Sequence, residues 1–122
     1  MSKVSRATYH VSRLISWLFT YMSFAIPVKR LCETDTLLAF RHPKPSYPFH
    51  VVLVPKKAVP HLEDLDAADS AFLTDLFNAV QSLVKEFGLA ESGYRLIVNG
   101  GKFQDFPHLH FQLISEFPIS NE

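Results

Sequence analysis

The chain has 122 residues, 48% hydrophobic and 20% charged, which fits one folded domain and excludes a disordered or fibrous protein. Lys plus Arg and Asp plus Glu balance at 12 each, so nothing in the charge calls for a nucleic-acid polymer as partner; a small anion held by local donors fits better. Cys32 is the only cysteine, which excludes an internal disulfide and a Cys-rich zinc site and fits a cytoplasmic setting.

An apolar run over residues 14–26 follows Lys3, Arg6 and Arg13. It is shorter than the ~20 residues that a membrane-spanning helix needs. No small-x-small cleavage site follows it. Ser12, Ser16 and Thr20 recur every four residues and draw a hydroxyl stripe along a helix over about residues 8–25, stopped by Pro27. This reads as a domain helix with a wide buried face; the alternative is an interfacial membrane contact.

Residues 28–32 and 36–41 read as two strands joined by a tight turn at Glu33, Thr34 and Asp35. Residues 42–48 cannot continue a paired strand, because Pro43, Pro45 and Pro48 lack donors. Residues 49–54 form a β-prone third strand, ended by Pro55-Lys56-Lys57. A long helix is expected over residues 67–87, capped by Asp66. Its buried stripe runs through Ala68, Phe72, Leu76, Val80, Leu83 and Phe87, and Gly88 is a natural residue to end it. Residues 94–99 and 107–115 read as the last two strands. Short connections imply an α+β fold: a five-stranded, mostly antiparallel sheet with two helices on one face, leaving the other face for function.

The most specific stretch is Pro107-His108-Leu109-His110-Phe111-Gln112. Strict alternation puts His108, His110 and Gln112 on one face of a strand and Leu109, Phe111 and Leu113 on the other. Residues two apart on a strand lie roughly 6.5–7 Å from each other, so two imidazoles and an amide converge on one small ligand. The Asn99-Gly100-Gly101 turn before it can bring backbone N–H groups to an anion. Taken alone, the same His-x-His pair also fits a surface pair or half of a metal site. His10 and His61 read as surface residues, and Lys56 and Lys57 as solvated strand-end charges or phosphate contacts. Trp17 reads as a core or dimer-interface anchor.

Together these blocks resemble the histidine-triad (HIT) family over residues 14–115, and the chain reads as one HIT-like domain over 1–122. Ala25-Ile26-Pro27-Val28 is similar to the family's turn after its first helix. Leu38-Ala39-Phe40 with the Pro-containing loop is similar to its second strand and nucleoside-side loop. His50 through Lys57 resembles its His-strand-Pro-Lys block. Tyr94 through Asn99, with Gln104 and the His108–Gln112 motif, resembles its last two strands.

The resemblance implies chemistry on a nucleoside monophosphate or nucleotide conjugate, without cofactor or metal. His110 would attack phosphorus and carry a covalent nucleotidyl group. His108 would orient it. His50 and Asn99 would contact the phosphate, Gln104 would sit at its rim, and Phe40 and His42 would lie on the nucleoside side. A homodimer is implied as well. Three departures stand out. Gln112 occupies the place of the third histidine, which resembles the nucleotidyltransferase and phosphorylase branch. His42 stands where many members place an acidic residue for ribose hydroxyls. Asp105 stands where a Ser or Thr usually follows the rim Gln. The expected activity is nucleotidyl transfer or hydrolysis. The competing expectations are an inactive nucleotide-binding module and a membrane-peripheral interaction module.

Overall fold

The computed structural model describes residues 30–117. The helix expected over residues 8–25 lies outside them. The chain runs through β1 (Arg30–Glu33), β2 (Leu37–Arg41), β3 (Phe49–Pro55), α1 (Ser70–Glu86), α2 (Leu89–Ser92), β4 (Arg95–Val98) and β5 (Phe111–Ser115). Short 3-10 turns at Leu62–Asp64 and Gly101–Phe103 interrupt the connections. The strands form one five-stranded sheet in the order β1-β2-β3-β5-β4, with every pairing antiparallel. The architecture is therefore the expected α+β one: an antiparallel sheet with two helices among the described residues, the expected long helix α1 and the short α2 that follows it.

Period-two alternation decides which residues meet the helix. Leu37 and Ala39 of β2, Phe49, Val51 and Leu53 of β3, and Phe111 and Leu113 of β5 share one buried cluster with α1. The helix answers with Phe72, Leu76, Ala79, Val80 and Leu83, one stripe at 3–4 residue spacing. Each of the Phe, Leu and Val side chains among them, fully buried, contributes about 1.5–3 kcal/mol. The opposite sheet face carries a second buried cluster, Leu38, Phe40, Val52 and Val54.

Helix α1 starts three residues later than expected, and Asp69 caps it. The Asp69 carboxylate accepts from the Phe72 N–H at 3.2 Å. Asp66 instead closes the turn before, accepting from the Ala68 N–H at 2.9 Å. Both aspartates suit a cap, and the one whose side chain meets the first turn's N–H groups takes it. Gly88 ends the helix in the left-handed region, at φ 63°. Asp75 ties α1 to the β1–β2 turn, accepting from the hydroxyls of Thr34 at 2.7 Å and Thr36 at 2.6 Å. These bonds hold the Asp75 carboxyl below its usual pKa.

The last strand is shorter than the alternation predicts. Its ladder with β3 begins at Phe111, opposite Leu53. Pro107 has no N–H, the His108 N–H bonds the Phe106 carbonyl at 2.8 Å, and the Leu109 N–H bonds Val59 at 2.8 Å. The backbone before Phe111 is thus held by loops. His108 and His110 sit on this lead-in segment, outside the strand.

Among the described residues, no helix is long and apolar enough to cross a membrane.

Candidate active site

The site lies on the sheet face opposite α1, where β3 and β5 run side by side. Register places Phe40 opposite Val52 and Val52 opposite Gln112, so these three form a row across the sheet. Phe40 is buried in the apolar cluster that floors this face. His50 stands one row along, opposite Ile114, and is buried. Its Nε2–H donates to the Gln112 side-chain oxygen at 2.7 Å.

His110 is half-buried. Its Nδ1–H donates to the His108 carbonyl at 2.7 Å. In the neutral ring, a proton held at Nδ1 leaves the lone pair at Nε2, the nitrogen that can act as a nucleophile. The Phe106 ring meets the His110 ring edge-on, with centroids 6.4 Å apart. His108 meets His110 through its backbone carbonyl; its own ring turns inward. That ring is 3% exposed, and its Nε2–H donates to the Pro55 carbonyl at 3.2 Å. Burial pushes its pKa down to about 4, and a positive His110 would push the same way. The Pro55 and Val59 backbone groups oppose the shift and are outweighed.

His42, just beyond β2, stacks on His50 with ring centroids 4.4 Å apart. Its pKa is lowered by burial first and then by the charges that His50 and His110 can carry, while Asp105 pulls in the opposite direction. Asp105 itself is exposed. The face therefore gathers His42, His50, His110 and Gln112, with Asp105 within electrostatic reach.

Gln104 braces two loops: its amide N–H groups donate to the carbonyls of Pro60 at 2.8 Å and Phe106 at 2.9 Å. Its oxygen accepts from His61 Nδ1–H at 2.9 Å. His61 is exposed, as read from the sequence, yet this bond gives it a role in the brace. Asn99 follows the end of β4 and is half-buried. Lys56 pairs with Glu33 at 2.7 Å, across from β1.

The sequence reading did not identify Phe106, or the loop contacts of Lys44, Ser46 and Tyr47 described below. Their signal was faint: an aromatic two residues before His108, and a loop that loses half its backbone donors to proline. Among the described residues, no group of three or more His, Cys, Asp or Glu side chains could hold a metal ion.

Known proteins share this fold. A 13.2 kDa HIT-like protein of Azospirillum brasilense is 38% identical over 93 residues, 74% of this chain and 76% of its own. The purine nucleoside phosphoramidase of Escherichia coli K12 is 29% identical over 96 residues, covering 77% of this chain and 81% of its own. A HIT family hydrolase from Legionella pneumophila Philadelphia 1 superposes with a TM-score of 0.72 at 31% identity, over 82% of this chain and 92% of that one. A histidine triad protein from Clostridium difficile also scores 0.72, at 28% identity, over 86% of this chain and 94% of that one. The HIT domain pattern matches residues 23–119. With the match covering most of its length, and with the sheet and the histidine face both in place, this chain belongs to the HIT domain family.

Proposed function

We propose that this chain is a nucleotide-binding enzyme that hydrolyses or transfers a nucleotidyl group through a covalent intermediate on His110. One observation carries the reading: the His108 carbonyl holds the His110 proton at Nδ1, which leaves the lone pair at Nε2, two residues before Gln112 and its partner His50, on which His42 stacks. The hydrolase and phosphoramidase names of the relatives support the same class.

In this scheme Nε2 of His110 attacks phosphorus. The P–O or P–N bond to the leaving group breaks, and the leaving group departs with the electron pair. The ring then carries phosphorus at Nε2 and a proton at Nδ1, and the His108 carbonyl stabilises that cation. Water or an acceptor phosphate next attacks phosphorus and releases His110. Gln112 can donate hydrogen bonds to a phosphoryl oxygen but cannot give up a proton as an acid. Acid help to a poor leaving group is worth roughly 10²–10⁴-fold in rate. Leaving groups that are already stable anions, such as phosphates, should therefore work best, and a phosphate acceptor should compete well with water. This is the transferase-like branch suggested by the His-x-His-x-Gln motif. We propose further that the protein is a homodimer with one such site per chain.

Rapid mixing with adenosine 5′-phosphoramidate or a dinucleoside polyphosphate, followed by mass spectrometry, should show an adenylyl group on His110. His110→Ala should lose turnover while keeping the fold. Gln112→His should speed phosphoramidate hydrolysis relative to transfer. An adduct on another residue, or wild-type turnover in His110→Ala, would falsify the assignment. The second reading is a binding module without turnover. Gln112 favours it because it supplies no acid, and so does Asp105, whose carboxylate lies near enough to act on His42 and would also repel phosphate. Tight AMP binding with no turnover of any nucleotide conjugate would select it.

A further inference from the structure

The loop between β2 and β3 is short of donors. Pro43, Pro45 and Pro48 have no N–H, so within residues 43–48 only Lys44, Ser46 and Tyr47 can donate from the backbone. Two of these three N–H groups end on imidazole nitrogens. Lys44 donates to Nδ1 of His42 at 3.0 Å, and Ser46 donates to Nδ1 of His50 at 3.1 Å. A ring nitrogen that accepts a hydrogen bond cannot carry the proton, so each neutral ring holds its proton at Nε2. The two rings stack at 4.4 Å, and the Tyr47 ring packs edge-on against His50 at 5.3 Å. Rotation of either ring would break a backbone hydrogen bond and a ring contact together.

His50 passes the direction on. Its Nε2–H donates to the Gln112 oxygen at 2.7 Å. An amide that accepts through its oxygen presents its NH₂ group on the other side. His110 has the opposite tautomer, because the His108 carbonyl takes its Nδ1–H. His42 and Gln112 thus each keep a donor, the Nε2–H and the NH₂ group, while His110 keeps a lone pair at Nε2.

We propose that residues 43–48 act as a tautomer clamp that makes this face a wall of donors around one nucleophile, selecting a fully ionised phosphoryl group. Ser46, through its backbone, and His50 are positioning residues. They turn the Gln112 amide so that its NH₂ meets the phosphoryl oxygens. This rests on the reading of His110 as the nucleophile. The depression of the His42 pKa by burial agrees with a ring held neutral. A ligand group that must itself donate a hydrogen bond finds no acceptor at His42 Nδ1 or at the Gln112 oxygen, since both are engaged.

The direct test is long-range ¹H–¹⁵N NMR of the imidazoles in the ligand-free full-length chain near neutral pH. His42 and His50 should both show the Nε2–H tautomer and His110 the Nδ1–H tautomer. An Nδ1–H tautomer at His42 or His50 overturns the clamp. The second measurement is calorimetric affinity for AMP and for inorganic phosphate in two variants. In His50→Gln the amide nitrogen falls near the position of Nε2 and can still donate to Gln112. In His50→Asn the amide oxygen falls near the position of Nδ1; it can accept from Ser46 but leaves Gln112 unheld. Affinity should fall about tenfold further in His50→Asn than in His50→Gln, the scale of one hydrogen bond to a charged group. Equal losses in the two variants overturn the relay. Tautomers as stated in a wild-type chain that binds neither AMP nor phosphate would support the clamp and sink the nucleotide reading instead.

Discussion

His108 shows how one residue can serve a site without facing it. Its carbonyl sets the tautomer of His110, while its ring lies in the core against the Pro55 carbonyl. A buried neutral imidazole has a measurable consequence. In the unfolded chain His108 takes up a proton near its ordinary 6.5, but in the native state only near about 4. Between those values the unfolded state binds more protons, so stability falls as pH drops from about 6.5 to about 4. At 1.36 kcal/mol per pH unit, this one group accounts for a loss of about 3 kcal/mol by the bottom of the window. Urea unfolding of the wild type at pH 7, 5.5 and 4.5 should show that decline, and His108→Gln should flatten it. Parallel pH profiles for the two proteins would show that some other group carries the acid sensitivity.

At the scale of elements, local chemistry decided boundaries that periodicity left open. The apolar stripe of α1 was plain in the sequence, but Asp66 and Asp69 competed for its start. Asp69 takes the cap because its carboxylate reaches the Phe72 N–H, while Asp66 closes the preceding turn. Asp69→Ala should therefore cost about 1 kcal/mol. Asp66→Ala should cost less, since it removes a bond from an exposed turn and leaves the helix end satisfied. Thermal unfolding of both variants checks the order; a larger loss in Asp66→Ala would restore the cap that the sequence suggested. In and before β5 the alternation correctly placed Leu109, Phe111 and Leu113 in the core but put the His108 ring, which is also buried, on the wrong face. It overstated the strand, because alternation reports which side faces the interior and does not report where a ladder partner ends. Loop carbonyls at Phe106 and Val59 had already taken the backbone N–H groups of His108 and Leu109.

At the scale of the molecule, strand order leaves β4 at one edge of the sheet among the described residues, carrying exposed Arg95 and half-buried Ile97. An edge with unpaired backbone groups is a natural place for a second copy to add to the sheet, and this supports the proposed homodimer. Multi-angle light scattering at micromolar concentration should report twice the 13.9 kDa chain mass. A clean monomer sinks the dimer and leaves the site intact, because His42, His50, His110 and Gln112 all come from one chain.

The sequence by itself determined the five strands, the long helix and the His-x-His-x-Gln segment, because hydrophobic periodicity and proline positions are local properties that survive any rearrangement of neighbours. It also singled out His50 and His42, though only through resemblance, since 58 or more residues separate each of them from His108, the first histidine of the motif. Only the tertiary structure decided how these residues meet. The His50–Gln112 bond depends on β5 lying next to β3. The inward turn of the His108 ring depends on the Pro55 carbonyl arriving from the end of β3. The bracing role of Gln104 depends on loops more than 40 residues apart in sequence. Tautomers, amide orientation and the depression of a buried histidine's pKa are set by which donor or acceptor comes within 3 Å or so in space. Spacing along the chain carries no such information.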